Sequence, residues 1–190
     1  MSSSPSFAQI TTAPAEFVQP RWYAAQTCAN HEKRVLEQLC QRTVEAYLPL
    51  YASVRRWKDR RVQLQLPLFP GYVFVHLALR DRLQVLQVPG VVRLVGFSGQ
   101  PAALPDQEIE TLRQGLIRGM NAEPYRYLSV GQRVRVRNGP LQGLDGILVR
   151  KKKGSRFVIS LDLIMRSVAV EIDKADLDAG LPGAEDPTPL

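Results

Sequence analysis

The chain has 190 residues, enough for one or two small domains. Lysine and arginine number 25 against 18 aspartate and glutamate, so the net charge is +7 and the isoelectric point lies near 9.7. This balance favours polyanionic partners, nucleic acid above all. Two cysteines exclude a disulfide scaffold and lack zinc-site spacing. Without an apolar stretch of membrane-spanning length or a secretory signal, we expect a cytoplasmic protein with a disordered leader over residues 1–20.

The first elements along the chain alternate between strand and helix patterns. A strand is predicted over 22–26, followed by an amphipathic helix that Asn30 caps and that carries Glu32 on its polar face. A second strand is predicted over 46–50. The apolar face of the helix consists of Val35, Leu36, Leu39 and Cys40.

Residues 55–66 predict a β-hairpin with a basic tip, because a cluster of basic residues around a tryptophan precedes an alternating strand. The charges suit phosphate binding by counterion release, and the tryptophan suits stacking on an unpaired base. The alternative is a solvated loop with the tryptophan packed beneath it. The candidate nucleic-acid residues are Arg55, Arg56, Trp57, Lys58, Arg60 and Arg61.

Residues 67–77 are the most informative run, because a Pro-Gly turn leads into an apolar and aromatic strand over 72–77. Its uniform hydrophobicity predicts a buried central strand. The turn places Phe69 and Tyr72 at its mouth, where a partner protein can reach them. The alternative is that these aromatic residues belong to the core, as strand aromatics usually do.

A short helix over 81–87, with Asp81 as a candidate cap, and a strand over 91–97 follow this run. Asp106 is predicted to cap a last helix that stops near Gly119. Its apolar face consists of Ile109, Leu112, Leu116 and Ile117. Helices that alternate with strands and a hairpin predict an α+β sandwich with a mixed or antiparallel sheet over residues 21–120.

Residues 121–128 are predicted to be a linker that contains Pro124. Beyond it, short strand patterns separated by glycine turns predict a small all-β barrel over residues 129–176, followed by a flexible tail over 177–190. The predicted strands cover 133–137, 147–149, 157–161 and 168–172.

The sequence gives no support for an enzyme. His31 and His76 have no carboxylate, cysteine or serine at a spacing typical of catalysis. The sequence also lacks a phosphate-cradling glycine loop, a metal-binding cluster and a nucleophile with a nearby base. We therefore expect a binding protein without cofactor or metal.

Five motifs in the first half occur in a fixed order and are followed by a sixth. They are Arg21–Tyr23, His31–Val35, Tyr47–Pro49, Trp57–Arg60 and Pro67–Val75, and the sixth, Gly139–Gly146, is similar to a KOW motif. In this order the motifs resemble the NusG family of transcription elongation factors over residues 21–176. His31–Val35 and Trp57–Arg60 look closer to the specialised antitermination paralogues of the UpxY and RfaH kind.

The resemblance implies an NGN-type front domain that binds the clamp helices of the largest RNA polymerase subunit, closes the clamp and suppresses pausing or termination. The residues that it implies for this contact are Trp22, Tyr23, Phe69, Pro70 and Tyr72. Arg80, Asp81 and Arg82 match the place that faces the β-subunit gate loop in relatives, although they replace the polar triplet of RfaH with charges. The basic hairpin would lie against upstream or non-template DNA.

The resemblance also implies that the second module is an SH3-like KOW barrel that recruits Rho or a small-subunit ribosomal protein. The residues implied for this contact are Lys151, Lys152, Lys153, Leu163, Ile164, Met165 and Arg166. Strong β patterns favour a barrel over a helical hairpin, and we expect a flexibly tethered barrel in a monomer that has no membrane contact. A general factor that binds Rho and a ribosome-associated RNA-binding protein are the alternative functions.

Overall fold

The computed structural model describes residues 15–57, 60–125, 132–151, 154–171 and 176–179. The helices are α1 (Ala15–Val18), α2 (Glu32–Gln41), α3 (Leu83–Leu86) and α4 (Asp106–Ile117). The strands of the front domain are β1 (Arg21–Thr27), β2 (Glu45–Tyr47), β3 (Leu50–Trp57), β4 (Arg60–Pro67), β5 (Tyr72–Leu77), β6 (Val91–Leu94), β7 (Gly96–Phe97) and β8 (Gln100–Pro101). Those of the second half are β9 (Ala122–Tyr125), β10 (Gln132–Val136), β11 (Asp145–Lys151), β12 (Gly154–Leu161), β13 (Arg166–Glu171) and β14 (Leu177–Ala179).

The front domain is built on an antiparallel sheet with the strand order β2-β5-β1-β6. Strand β5 lies inside the sheet between β2 and β1, which confirms the prediction of a buried central strand. It spans Tyr72–Leu77, as predicted, and Phe69 and the next two residues form the turn that leads into it.

The two faces of this sheet have different covers, because successive side chains of a strand point to opposite faces. On the first, which we call the helical face, Tyr23 and Val75 pack under Val35 and Leu39 of α2. On the second, the aromatic face, Trp22 and Phe74 pack against α4. A helix layer on each face confirms the predicted α+β sandwich.

Helix α2 has the predicted apolar face but a different beginning. Val35 and Leu39 are fully buried, while Cys40 is exposed. The N-cap residue is His31 and not Asn30, which lies in the left-handed region with φ 61°. Glu32 is only 5% exposed, so its placement on the polar face was wrong.

Helix α4 lies across the aromatic face and is fixed to β1 at its first residue. The Asp106 carboxylate accepts a hydrogen bond from the Trp22 backbone N–H at 3.3 Å and forms an ion pair with Arg21 at 3.1 Å. Asp106 therefore connects α4 to β1, while Pro105 occupies the N-cap position. Ile109 and Leu112 are buried as predicted, but Ile117 is 70% exposed and lies outside the apolar face.

Strands β3 and β4 form a separate hairpin, as predicted, with Arg56 opposite Arg61. Residues 58–59 at its tip lie outside the described residues. The predicted strand over 46–50 is two elements, since β2 ends at Tyr47 and Leu50 begins β3.

The predicted short helix is a 3-10 turn over Leu79–Asp81 followed by α3, whose N-cap is Arg82 and not Asp81. The strand predicted over 91–97 is also divided, into β6 and β7. The leader predicted over residues 1–20 contains α1, which contacts the 3-10 turn over Leu79–Asp81. No helix in the described part of the chain combines the length and apolarity needed to cross a bilayer.

The second half folds into one antiparallel sheet with the order β14-β10-β11-β12-β13-β9, which we call the C-terminal sheet. All four predicted strands are present. Two further strands extend it at its edges: Ala122–Tyr125, within the predicted linker, pairs with β13, and Leu177–Ala179, within the predicted tail, pairs with β10.

Candidate binding surfaces

The aromatic face of the front domain does not face solvent, because α4 lies across it and the C-terminal sheet packs against the same apolar cluster. One hydrophobic cluster joins Trp22 and Phe74 of the front sheet, Ile109 of α4, and Val134 and Phe157 of the C-terminal sheet. Tyr47, Tyr51 and Tyr72 pack against the same cluster. The two halves therefore share a core, which contradicts the expectation of a flexibly tethered second module.

Two close contacts define this docking interface. The Arg166 guanidinium lies 6.0 Å from the ring centroid of Tyr72, a cation–π arrangement. On α4, a Cβ atom added to Gly115 would lie 3.1 Å from Leu141 Cδ2, so the missing side chain leaves room for that leucine. The residues that we predicted to bind polymerase and a second partner thus meet each other at Tyr72 and Arg166.

The exposure predicted for Phe69 is wrong. Phe69 is only 1% exposed and lies edge-on to Phe74, with ring centroids 5.4 Å apart and an interplanar angle of 84°. Trp22 and Tyr23 are also buried, at 2% and 0% exposure. A rigid aromatic ring whose neighbours cover it on every side cannot be a contact residue without rearrangement.

Two residues of the predicted polymerase contact keep accessible surface. Pro70 is exposed and Tyr72 is half-buried, and both belong to the turn that leads into β5. The Tyr72 ring also packs against the shared cluster and lies beside Arg166. Of the five predicted contact residues, these two alone are positioned to reach a partner in this arrangement.

A polar cleft crosses the docking interface at the first turn of α4. Glu108 of α4 lines it together with Arg133, Asp145, Ser160 and Asp162 of the C-terminal sheet. Burial raises the pKa of Glu108, and the carboxylates of Asp162 and Asp145 raise it further. A hydrogen-bonded ion pair with Arg135, with N–O distances of 2.6 and 2.8 Å, lowers the pKa of Asp145.

A second polar group lies at the β2 edge of the aromatic face. His76 Nδ1 lies 2.9 Å from Glu45, and Arg113 of α4 lies 3.3 Å from the same carboxylate. The His76 ring stacks obliquely on Trp22, with centroids 5.1 Å apart. The Tyr47 hydroxyl is buried without a hydrogen-bond partner among the described residues. This edge contains a satisfied ion-pair network beside one unsatisfied hydroxyl.

The predicted partner loop of the second half is a 3-10 turn over Asp162–Ile164. Ile164 is buried and Leu163 half-buried against the shared cluster, whereas Met165 is 57% exposed and has a left-handed backbone with φ 52°. The predicted apolar patch is therefore reduced to Met165 while the two halves are docked. Of the basic loop, the Lys151 side chain and both Lys152 and Lys153 lie outside what the structure describes.

The remaining predicted sites stay predictions. Arg80 and Arg82 are exposed, and Arg80 pairs with Asp81 at 3.4 Å. Among the hairpin residues, Arg61 is exposed. The side chains of Arg55, Arg56, Trp57 and Arg60, and the whole of Lys58, lie outside the described part of the chain.

Glu32 is a site residue that the sequence did not reveal. Its Oε1 accepts a hydrogen bond of 2.7 Å from the backbone N–H of Gly71, in the turn next to Tyr72. The two residues are 39 positions apart, so no local pattern connects them. A glutamate in the first turn of an amphipathic helix is usually solvated, and only tertiary structure shows that this one is buried.

Comparisons with known proteins agree with this architecture. A family model described as "Transcription termination factor nusG" matches residues 20–113. The "Transcription termination/antitermination protein NusG" of Yersinia pestis is 27% identical over 87% of this chain and 99% of its own length. The protein of the same name from Escherichia coli K12 is 27% identical over 86% of this chain. The chain belongs to the NusG family.

It is a transcription termination/antitermination factor of the NusG type, and it matches its relatives across both of its halves. The solved structure described as "Domain interaction in Thermotoga maritima NusG" superposes with a TM-score of 0.52. This superposition covers 85% of this chain and 97% of that chain at 21% identity, and it confirms the fold. The family assignment confirms the resemblance that the six motifs suggested.

Proposed function

We propose that this NusG-type factor binds RNA polymerase through the aromatic face of its front domain, with Tyr72 and Pro70 at the rim of the contact. The face would receive the clamp helices of the largest subunit. Binding would hold the clamp closed and suppress pausing or termination. The factor needs no bond chemistry for this, because it acts by higher affinity for the elongating conformation.

The observation that carries the proposal is the composition of the aromatic face. Trp22 and Phe74 belong to one apolar cluster that also contains residues of α4 and of the C-terminal sheet, and Tyr47, Tyr51 and Tyr72 pack against it. Large aromatic side chains dominate protein–protein contacts, since each buries much apolar area. A surface that accepts one apolar partner within the chain is suited to an apolar coiled coil from outside.

We further infer that polymerase binding requires the C-terminal sheet to leave the aromatic face. The contact between Tyr72 and Arg166 joins the two predicted binding regions, so the docked form hides part of each. The apparent affinity for polymerase then falls by the fraction of molecules that are open. Release would free the turn over Asp162–Ile164 for Rho or a small-subunit ribosomal protein at the same time.

The test compares Tyr72→Ala with Phe97→Ala, because Phe97 is an aromatic residue that is 70% exposed in the remote β7–β8 hairpin. We expect Tyr72→Ala to weaken binding of purified core polymerase by about tenfold, because tyrosine is one of the residue types that contribute most to protein–protein binding. Its melting temperature should stay near that of the wild type. Wild-type affinity in Tyr72→Ala, or equal losses in both variants, would overturn the proposal.

The second candidate is a general elongation factor that binds Rho and not a specialist for a few operons. The match to curated NusG proteins over nearly their full length favours it. Transcript profiles after deletion of the gene distinguish the two functions. A general factor should change termination across the genome, whereas a specialist should change a few long operons.

A further inference from the structure

The turn that carries Tyr72 is held by hydrogen bonds to both the backbone N–H and the carbonyl of one residue, Gly71. Tyr72 donates its backbone N–H to Phe69 O at 3.2 Å, which closes a four-residue turn with Pro70 and Gly71 in its centre. Gly71 has φ 86°, and proline followed by a glycine with positive φ is typical of a type II turn. Only glycine adopts this φ without strain, so the backbone conformation itself requires Gly71.

A type II turn leaves the N–H of its third residue without a partner inside the turn. In this chain Glu32 Oε1 accepts that N–H at 2.7 Å, while the Gly71 carbonyl accepts the Thr27 N–H at 2.8 Å. The Gly71 residue is thus fixed from α2 on one side and from β1 on the other. These bonds determine where β5 begins and how Tyr72 leaves the turn.

The burial of Glu32 shows that this contact is more than incidental. A carboxylate that is 5% exposed loses its hydration, and the loss is tolerated only where hydrogen bonds replace water. Glu32 is also the first residue of α2, where the helix dipole favours a negative side chain. The helix dipole therefore stabilises the charge of Glu32, and the same carboxylate holds the turn through the Gly71 N–H.

We propose that Glu32 is a positioning residue for the polymerase-binding turn, which it holds through the Gly71 N–H without touching the partner. This inference rests on the proposed function of Tyr72. If Glu32 fixes the turn before the partner binds, Tyr72 is already in its binding conformation, and binding costs less conformational entropy.

The experiment uses the full chain with Glu32→Ala, Glu32→Gln and Glu37→Ala. Glutamine keeps an oxygen acceptor for the Gly71 N–H, and Glu37 is an exposed glutamate of the same helix. Two quantities are measured, the affinity for core polymerase and the hydrogen-exchange rates of the Gly71 and Val75 amides. Val75 reports opening of the whole sheet, because it is fully buried in the central strand.

We expect Glu32→Ala to raise the exchange rate of Gly71 about tenfold while that of Val75 changes little, the effect of removing one hydrogen bond to a charged acceptor. Polymerase affinity should fall by a similar factor. Glu32→Gln should recover most of both quantities, and Glu37→Ala should behave as the wild type.

Equal acceleration at Gly71 and Val75 in both Glu32 variants would show a role in global stability alone and would overturn the inference. Wild-type polymerase affinity in Glu32→Ala, where Tyr72→Ala binds poorly, would overturn it as well. If Tyr72→Ala binds normally, the proposed function fails, and the Gly71 exchange rate still decides whether Glu32 positions the turn.

Discussion

The two faces of the front sheet have equally apolar centres but differ in the kind of cover they carry. The helical face is covered by α2 and α3, which are connected to the sheet by short segments of the same domain. The aromatic face is covered by α4 and by a separate sheet from the second half of the chain, whose apolar side chains belong to the same cluster. A separate sheet can leave without breaking the backbone hydrogen bonds of the front sheet, so reversible exposure is expected on the aromatic face alone.

The two faces also differ in their polar groups. The cleft around Glu108 and the Arg166–Tyr72 contact both lie where the C-terminal sheet meets the front domain. On the helical face, the buried carboxylate of Glu32 is satisfied by a backbone N–H. Charged groups at an interface lose hydration and contribute little net free energy, so these polar contacts add little to the stability of the docked state.

The largest effect should come from Phe69, which is part of the permanent core of the front domain. Phe69→Ala removes a fully buried aromatic ring and its edge-on contact with Phe74, and it should lower the free energy of unfolding by about 3–5 kcal/mol. Denaturant unfolding monitored by circular dichroism measures this. A loss below about 1 kcal/mol would show that Phe69 contributes little to the core of the front domain.

The second effect concerns docking. Gly115→Leu adds a Cβ atom 3.1 Å from both Leu141 Cδ2 and Met120 Sδ, and a longer side chain beyond it, so it should open the interface and raise polymerase affinity several-fold, in proportion to the open fraction. Gln114→Leu is the matched control, because Gln114 is the exposed neighbour on the same helix. Affinities that change equally in the two variants would argue against masking of the aromatic face.

The third effect is the pH dependence of docking. The pKa of Glu108 is raised in the docked state by burial and by Asp162 and Asp145 across the interface, so the docked state binds a proton more tightly than the open state. Docking should be strongest below the ordinary glutamate pKa of about 4.3 and should weaken as the pH rises through the raised value.

The backbone amide shifts of Tyr72 and Arg166, followed from about pH 4 to pH 7, report this equilibrium. In Glu108→Gln the side chain stays neutral, and docking should remain strong across the range. The same titration in wild type and variant would show that the pH dependence does not come from Glu108.

The smallest effect is expected at Tyr47. Its hydroxyl is buried without a partner among the described residues, and burial raises its pKa, so the group stays protonated. Tyr47→Phe removes an unsatisfied polar atom and should change stability by less than about 1 kcal/mol, towards greater stability. Calorimetry measures it. A loss of more than about 2 kcal/mol would reveal a hydrogen bond to a residue outside the described ranges.

Local patterns were sufficient to predict most elements, and they failed where pairing is distant. The 3.6-residue period of α2 and the apolar run of β5 depend on neighbouring residues alone. Strand β9 contains Pro124 and no alternation, and proline is tolerated there because β9 is an edge strand. Its partner, β13, lies more than 40 residues further on, which no local pattern indicates.

The candidate site was predicted at the level of the segment and not of the side chain. The turn before β5 was located correctly, yet the burial of Phe69 depends on its packing against Phe74 in the folded chain. The burial of Glu32 likewise depends on a backbone N–H that lies 39 positions away. The order of the motifs was sufficient to identify the family. The exposure of single side chains was predicted less well, because it depends on tertiary contacts.

The edge strand β9 determines how far the second half can travel once it is released. While β9 stays paired with β13, only residues 118–121 join it to α4, and four residues span at most about 14 Å. If β9 detaches, the tether extends over residues 118–131 and spans up to about 50 Å. The pairing of this short strand thus sets how far the second half can move from α4. The distance is short while β9 is paired with β13 and several times longer once β9 is detached.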